Sequence, residues 1–286
     1  MSINKNLFIL IDKTNNDFNQ INLDVGRLMN TAGIDIGSIS TKAAIMKDGI
    51  LLGTKIIFTG YNAELAGRNV LEAILTELDM THKSIDRIVT TGYGRKSMTI
   101  ADRAITEITC HAAGAHYLNP QIRTIIDVGG QDSKAIVVDE KGTVVNFTMN
   151  DKCSAGTGRF LEVMAGALEV NLDTFGEISL KADNPAQISS LCTVFAESEV
   201  ISLISQGEKR ENIIAGIHTS ICARISTMMK RIGIMPPVMM TGGVAKNVGV
   251  VKALEKFLNT PIEVSAYAQE NGAIGAALLA QRIKVT

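Results

Sequence analysis

The sequence predicts an α/β fold of two domains that arose by internal duplication and that enclose a cleft. Three observations support this fold class. The chain has 286 residues, which is more than a single hydrophobic core usually organises. A strand-and-turn unit occurs twice at a fixed offset, and each copy is followed by sequence with helical spacing. Residues 1–29 precede the first copy, and we expect this extra N-terminal segment to contribute little to function.

The composition is that of a folded globular protein with little net charge. Hydrophobic residues make up 46% of the chain, and 28 basic against 29 acidic side chains leave a net charge of −1. We therefore expect neither a nucleic-acid partner nor an anionic membrane surface. The sequence contains no apolar run near the roughly 20 residues that cross a bilayer and no signal-peptide pattern, so we expect a cytoplasmic protein.

The duplicated unit is defined by aspartate, glycine and lysine at equal spacing. An apolar run ends in Asp-x-Gly at Asp35 and again at Asp127. A lysine follows each motif, at Lys42 and Lys134. The two aspartates and the two lysines are separated by the same 92 residues, because 127 − 35 and 134 − 42 are equal. One ancestral unit is therefore present twice.

Each copy predicts three strands joined by tight turns, with third strands over Ile50–Phe58 and 143–149. Apolar residues at helical spacing follow each meander, at Leu71, Ile74, Leu75 and Leu78 and at Phe160, Val163, Met164 and Leu168. The remaining predicted elements are a strand at 237–241, a helix over Val248–Leu258, a strand at 262–265 and a closing helix at 271–283.

The two Asp-x-Gly turns have the residues of a phosphate site. Glycine lets the backbone turn sharply so that consecutive N–H groups face an anion, and hydroxyl groups add donors. The candidate binding residues are Gly37, Ser38, Thr41, Lys42, Gly129, Gly130, Gln131, Gly242 and Gly243. Asp35 and Asp127 end their strands, where a carboxylate can hold Mg²⁺ through water. One such turn is usually only a strand end, but two at a matching offset favour a nucleotide site, and the chain has neither a P-loop nor a complete dinucleotide fingerprint.

These motifs resemble those of the actin, sugar-kinase and heat-shock-chaperone ATPase superfamily, whose two ribonuclease-H-like domains hold a nucleotide in the cleft between them. The resemblance implies phosphate loops at 33–42 and 126–132 and an adenosine loop at 240–247, which ends at Asn247. It also implies a first domain at 30–119 plus 266–286 and a second at 120–265. Glu107 would lie near the γ-phosphate, with Gln131 and Asp132 as further candidate catalytic side chains. An exposed helix acid is the alternative interpretation of Glu107.

The four cysteines are widely spaced and include no C-x-x-C pair, so neither a disulfide framework nor a self-contained zinc site is predicted. Cys153 and Cys192 each precede a helical run, and the partial positive charge of a helix N-terminus favours an anionic ligand set. Two thiolates cannot complete a 4Fe-4S cluster, which commonly takes four, but a twofold dimer would supply four. A small buried apolar residue is the alternative, and it is our interpretation of Cys110 and Cys222.

The segments at 150–162, 192–200 and 91–95 closely resemble the ATP-dependent activators of 2-hydroxyacyl-CoA dehydratases and the related ATPase subunits of benzoyl-CoA reductase. The resemblance implies a homodimer with one bridging 4Fe-4S cluster, held by Cys153 and Cys192 of each subunit. Such a protein uses ATP with Mg²⁺, releases ADP, accepts an electron from a ferredoxin or flavodoxin and passes it at low potential to the dehydratase component.

Three other functions remain open from the sequence. The chain could be the ATPase subunit of a benzoyl-CoA-type reductase, since that group carries the same motifs. It could be a small-molecule kinase of the same fold with Asp132 as general base. It could also be a non-enzymatic nucleotide-binding module in which Tyr93, Arg95 and Arg159 only form surface contacts.

Overall fold

The computed structural model describes residues 29–189 and 192–283, so the predicted extra segment 1–29 lies, apart from Met29, outside the described residues. The described chain contains two five-stranded mixed sheets of identical topology, flanked by helices. The predicted α/β fold class with a duplicated architecture is therefore confirmed. Within these residues the structure has no helix that is both long enough and apolar enough to cross a membrane.

Each sheet begins with an antiparallel meander, to which two parallel strands are added. The first sheet comprises β1 (Asn30–Ile36), β2 (Ser40–Lys47), β3 (Ile50–Phe58), β4 (Arg87–Thr91) and β5 (Arg103–Ala104), in the order β3-β2-β1-β4-β5. The second comprises β6 (Thr124–Val128), β7 (Ser133–Val138), β8 (Val144–Asn150), β9 (Val238–Thr241) and β10 (Ile262–Val264), in the order β10-β9-β6-β7-β8.

The duplication extends to strand register. Asp35 lies opposite Lys42 in the first meander, and Asp127 lies opposite Lys134 in the second. The pairing of the second and third strands shifts after Ile45 in one sheet and after Val137 in the other, positions that are again 137 − 45 = 92 residues apart. A bulge bends a strand locally, so the two sheets carry the same bend at the same place.

The described helices are α1 (Ala63–Glu77), α2 (Glu107–Leu118), α3 (Gly158–Ala167), α4 (Leu172–Ser179), α5 (Thr193–Ser205), α6 (Arg210–Ile232), α7 (Val248–Leu258) and α8 (Asn271–Ala280). Asn62, Thr106 and Asn247 cap α1, α2 and α7, because their side-chain oxygens accept a bond from an amide of the first turn. The predicted closing helix ends at Ala280 and not at Ile283, and the 23-residue α6 was not predicted.

Two helices lie between the sheets and join the halves. Helix α8 packs on β1, β2 and β4 of the first sheet, while α2 contacts both α8 and the second sheet. The two helices touch at backbone distance: a Cβ on Gly275 would lie 1.8 Å from the Cys110 carbonyl oxygen, and one on Gly114 would lie 2.2 Å from the Asn271 oxygen. The boundaries of the two domains stay a prediction, and α2 is shared between them.

Candidate functional site

A cleft of about 590 Å³ opens at the carboxyl ends of the parallel strands of both sheets. Its walls come from the loops that follow β1, β4, β6 and β9. The carboxylates of Asp35 and Asp127 border it, and so do Gly242 and Gly243 after β9. The fold therefore brings both predicted phosphate loops and the predicted adenosine loop to one cavity.

The two phosphate loops have the same turn geometry. The amide of Gly37 donates to the Ser40 carbonyl at 3.2 Å, and the amide of Gly129 donates to the Asp132 carbonyl at 2.9 Å. These two amides therefore form hydrogen bonds inside their own loops and are not available to a ligand. The amides between them, at residues 38, 39, 130 and 131, have no hydrogen-bond partner within the described chain. Successive free amides in a tight turn form the kind of concavity that binds anions.

The loops also touch each other, since a Cβ on Gly130 would lie 2.5 Å from Ile39 Cδ1. The predicted phosphate ligand Thr41 is not brought to the cleft. Its buried hydroxyl lies 2.9 Å from the hydroxyl of Thr59, which in turn donates to the Gly37 carbonyl at 2.8 Å. Thr41 thus stabilises the first phosphate loop through Thr59 and does not face the cleft.

Polar side chains border the two loops. Ser38 and the exposed Gln131 line the cleft, and so does Ser40, which the sequence did not single out. Ser40 Oγ accepts a bond from Gln269 Nε2 at 3.4 Å. Gln269 precedes α8, so this contact connects the first phosphate loop with the segment that leads into the last helix.

The most highly charged feature is an ammonium ion surrounded by three carboxylates. Lys134 Nζ lies 2.6 Å from Glu107, 3.2 Å from Asp127 and 2.7 Å from Asp132, and its side chain is 2% exposed. The ligand oxygens of the three acids lie within 4.8 Å of one another. Glu107 is therefore not an isolated surface acid, because it is the first residue of α2 and bonds to a buried lysine across the cleft.

The pKa values of this cluster follow from burial and charge. Burial lowers the pKa of Lys134, but the three carboxylates outweigh that effect and raise it above its ordinary value. Burial raises the pKa of Asp127, but His111 and Lys134 outweigh it and lower the pKa to about 2. Burial dominates at Glu107 and raises its pKa. Lys134 is thus held as a cation and Asp127 as an anion.

The first copy of the unit has a weaker version of this arrangement. Lys42 Nζ lies 3.5 Å from Asp35, and no other carboxylate within the described chain forms an ion pair with it. Glu107 and Asp132 have no such counterparts around Lys42. The duplicated lysines have therefore diverged: Lys134 organises an acidic cluster, whereas Lys42 has a single, longer contact.

His111 was missed by sequence reasoning. It lies in α2, is buried, lines the cleft, and its Nδ1 lies 3.2 Å from Thr241 Oγ1 and 3.4 Å from Asp127 Oδ1. Thr241 donates to the same Asp127 oxygen at 3.0 Å. Asn271 at the start of α8 donates to the His111 carbonyl at 3.0 Å. The signal in the sequence is a lone histidine among small residues of a connecting helix, which alone predicts only a packed side chain.

The adenosine-loop residues have different roles. Gly242 has a φ of 86°, and a Cβ there would lie 2.3 Å from the Val128 carbonyl oxygen, so both backbone conformation and space require glycine. Gly243 begins a short 3-10 helix at the cleft wall. Asn247 also borders the cleft, but its side-chain oxygen accepts a bond from the Val250 amide at 3.0 Å as the cap of α7.

The two cysteines predicted as ligands lie outside the cleft, on segments that contact each other. Cys192 is the exposed N-cap of α5, and the half-buried Cys153 lies four residues before Thr157, the N-cap of α3. The residues that follow them are hydrogen-bonded, since Ser154 Oγ lies 2.8 Å from Thr193 Oγ1. Cys110 and Cys222 are buried, and burial raises the pKa of both thiols to about 12.

Helix α3 connects the cysteine segment with the second phosphate loop. The amide of Gly158 donates to the Gly129 carbonyl and the amide of Arg159 to the Gly130 carbonyl, both at 2.8 Å. One residue earlier, the Thr157 amide donates to the Ser154 carbonyl at 3.0 Å. Gly158, which contacts the phosphate loop, therefore follows Ser154, which contacts Thr193 beside Cys192, by only four residues.

Comparison with known proteins places this geometry among ATPases. Residues 32–280 match the model of the BadF/BadG/BcrA/BcrD ATPase family. The activator of lactoyl-CoA dehydratase from Anaerotignum propionicum is 49% identical over 253 residues, which cover 88% of this chain and 97% of the relative.

Two solved structures have the same fold over nearly their whole length. Component A of the (R)-2-hydroxyglutaryl-CoA dehydratase of Acidaminococcus fermentans has a TM-score of 0.86 and 46% identity, with 89% of this chain and 98% of that chain covered. The activator of the 2-hydroxyisocaproyl-CoA dehydratase of Clostridium difficile, with bound ADPNP, has a TM-score of 0.84 and 45% identity, with 90% and 99% covered.

Proposed function

This chain belongs to the BadF/BadG/BcrA/BcrD ATPase family, and we propose that it hydrolyses ATP in order to deliver a low-potential electron from a 4Fe-4S cluster to a 2-hydroxyacyl-CoA dehydratase. The names of its relatives support the class of partner. Two of the relatives compared above are activators of the lactoyl-CoA and 2-hydroxyisocaproyl-CoA dehydratases, and the third is component A of the (R)-2-hydroxyglutaryl-CoA dehydratase.

The cleft supplies the groups that ATP needs. Free amides in both loops and the side chain of Ser38 can bind phosphate oxygens. The nucleoside has room beside Gly243, where a Cβ would meet no atom closer than Gln269 Nε2 at 3.9 Å. The donor set fits Mg²⁺ as well, because Asp35 and Asp127 offer carboxylate oxygens at the cleft wall. Bound Mg²⁺ would neutralise charge on the phosphates. Glu107, Gln131 and Asp132 border the same space and would orient the attacking water.

The cysteine pair fits a cluster shared between two protomers. Cys153 and Cys192 offer two thiols on neighbouring segments, and Cys192 is exposed, so a second copy can approach it. A protomer provides two of the four thiolates that a 4Fe-4S cluster takes, and a twofold axis beside Cys192 would provide the rest. When bound, the cluster supplies one-electron redox chemistry. The exposed position also leaves the pair open to a ferredoxin or flavodoxin donor.

The observation that carries the proposal is the hydrogen-bonded connection from phosphate loop to cysteines. Gly129 and Gly130 hold the first amides of α3, and Ser154 just before that helix bonds to Thr193 at the start of α5. A change in the loop on hydrolysis is therefore transmitted to both cysteine segments through bonds of ordinary length. Different affinities of ATP and ADP for the two arrangements provide the energy.

The experiment is anaerobic purification with iron analysis of matched cysteine variants. We expect about two irons per chain in the wild type, because four irons are shared by two chains. Cys153→Ser and Cys192→Ser should lose the iron and still hydrolyse ATP, since neither residue lines the cleft. Cys222→Ser, whose buried side chain faces the Val250 carbonyl at 3.5 Å, is the control and should keep its iron.

Iron that persists in Cys153→Ser, or a cluster that remains in a monomer measured by light scattering, would contradict the shared site. Transfer of phosphate from ATP to a small-molecule acceptor, with no iron bound, would favour the kinase alternative. Electron delivery itself is measured by whether the reduced protein and ATP, but not the reduced protein and ADP, activate a purified dehydratase component.

A further inference from the structure

Some basic side chains of the cleft form ion pairs with carboxylates, and others do not. Among the described residues, four lysines and arginines line it: Lys42, Arg95, Lys134 and Lys246. Lys42 and Lys134 form ion pairs with carboxylates. Arg95 and Lys246 form none within the part of the chain that the structure describes. These two are therefore available to the negative charge of a ligand.

Arg95 has a fixed backbone and a largely free guanidinium group. The Thr90 hydroxyl donates to its carbonyl at 2.7 Å, and the neighbouring Gly94 amide donates to the Ile36 carbonyl at 2.9 Å, so the loop is tied to the end of β1. Within the side chain, Nη1 donates to the Gly92 carbonyl at 3.2 Å. That bond positions the guanidinium and uses one of its five N–H donors.

The location of this loop indicates which phosphate Arg95 can reach. Its first residue, Gly92, packs on Asp35, since a Cβ there would lie 2.5 Å from Asp35 Oδ1. Arg95 lines the same cleft as Asp35 and Glu107, and the Gly94 amide before it donates to the Ile36 carbonyl at the end of β1. Lys246, by contrast, is exposed and follows the glycines of the adenosine loop. Arg95 is therefore at the end where the phosphate loops meet, away from the nucleoside.

We propose that Arg95 is a catalytic residue that binds the terminal phosphate of ATP from within the same chain. A planar guanidinium offers paired donors that match two phosphate oxygens, which a lysine cannot do. In hydrolysis the water oxygen bonds to the γ-phosphorus, and the bond to the β–γ bridging oxygen breaks. ADP leaves with that electron pair, and the proton that the water loses passes to a non-bridging oxygen of the released phosphate. Arg95 exchanges no proton in this step. It stabilises the charge on the non-bridging γ-oxygens.

This inference rests on the ATP-hydrolysing part of the proposed function and not on the cluster. It predicts a specific loss of affinity for nucleotides with a third phosphate. In Arg95→Gln, affinity for ADPNP should fall about 10- to 100-fold, the range for a lost hydrogen bond to a charged group. Affinity for ADP should change less than about 3-fold. ADP binding also reports that the variant is folded.

Lys96→Gln is the matched control, because it removes one positive charge from the same loop but from an exposed side chain outside the cleft lining. It should leave both affinities unchanged. Arg95→Lys should keep the charge but recover only part of the ADPNP affinity. In Arg95→Ala, millimolar guanidinium should restore part of kcat, which a purely structural role would not allow.

Equal losses for ADPNP and ADP in Arg95→Gln, or no loss for either, would overturn the assignment, as would an equal effect of Lys96→Gln. A wild-type protein that binds neither nucleotide would instead refute the proposed function. Titration calorimetry with ADPNP and ADP on the full-length protein distinguishes these outcomes.

Discussion

Replacement of Lys134 by methionine tests whether its ammonium group holds the acidic cluster together. Methionine keeps most of the apolar length of the side chain, so the perturbation is mainly electrostatic. The variant leaves Glu107, Asp127 and Asp132 with their oxygens within 4.8 Å of one another and without the lysine that now contacts all three.

The magnitude can be worked from these distances. Two unit charges 4.8 Å apart repel by about 3 kcal/mol at an effective dielectric constant of about 20. Removal of one partner from a buried ion pair costs about 3–5 kcal/mol. We therefore expect Lys134→Met to lower the free energy of unfolding by about 3–5 kcal/mol at pH 7.5. The pKa of at least one of the three acids should rise, so the loss should be smaller at pH 5.5 than at pH 8.

Urea unfolding of Lys134→Met and Lys42→Met provides the assay and its control. Lys42 occupies the equivalent position of the first copy but has one carboxylate at 3.5 Å, so its replacement should cost about 1 kcal/mol. Millimolar Mg²⁺ should raise the melting temperature of Lys134→Met more than that of the wild type, because the three carboxylates are then free for a cation. Equal losses in the two variants, or a loss without pH dependence, would refute this account of the cluster.

Other predictions concern a buried imidazole and two glycines. Burial lowers the pKa of His218 to about 4 in the folded protein. As the pH falls, the imidazole therefore binds a proton in the unfolded chain before it does so in the folded one. The free energy of unfolding should decrease by up to about 3 kcal/mol between pH 7 and pH 4. Denaturant titrations should show a flatter pH dependence for His218→Leu than for the wild type, and parallel curves would contradict this. Gly275→Ala should destabilise the protein by about 3 kcal/mol or more, because the new Cβ meets the Cys110 backbone and only a shift of a helix relieves the contact. Gly166→Ala is the opposite case, because a Cβ on this residue of α3 would meet no atom within 4 Å. The substitution should raise the free energy of unfolding by about 0.5–1 kcal/mol in denaturant titrations. A lower free energy of unfolding would contradict the open space beside Gly166.

The duplicated fold could be predicted because its signals are local. Asp-x-Gly and lysine at one offset fix both meanders, and the predicted strand Ile50–Phe58 and helix Val248–Leu258 have the observed bounds. Helix α6 also had a local signal, isoleucines at 214, 217, 221 and 225, which are buried on one face. Helix ends were less accurate: the sequence after Ala280 has neither glycine nor proline to mark the end of α8.

The site could be predicted only where it is built from the loops themselves. The resemblance to dehydratase activators is confirmed by the relatives and the family, whereas the cluster, the dimer and the electron donor stay predictions. His111 and Gln269 were missed because each enters the cleft from a different element, and tertiary packing alone brings them together. Arg95 was named only as part of a family motif and, in one alternative, as a surface contact. Thr41 has the right residue type in the right motif, but its strand turns the hydroxyl towards Thr59.

The position of α8 has a consequence for how the protein is made. This helix lies against β1, β2 and β4, where the Thr31 hydroxyl donates to the Ala277 carbonyl at 2.8 Å and Gly33 packs on Ala273. One face of the first sheet is therefore covered by residues that leave the ribosome after the whole second half. During translation, the first sheet therefore has an apolar face that α8 does not yet cover. The second half can reach its native state first, and the first half is completed last.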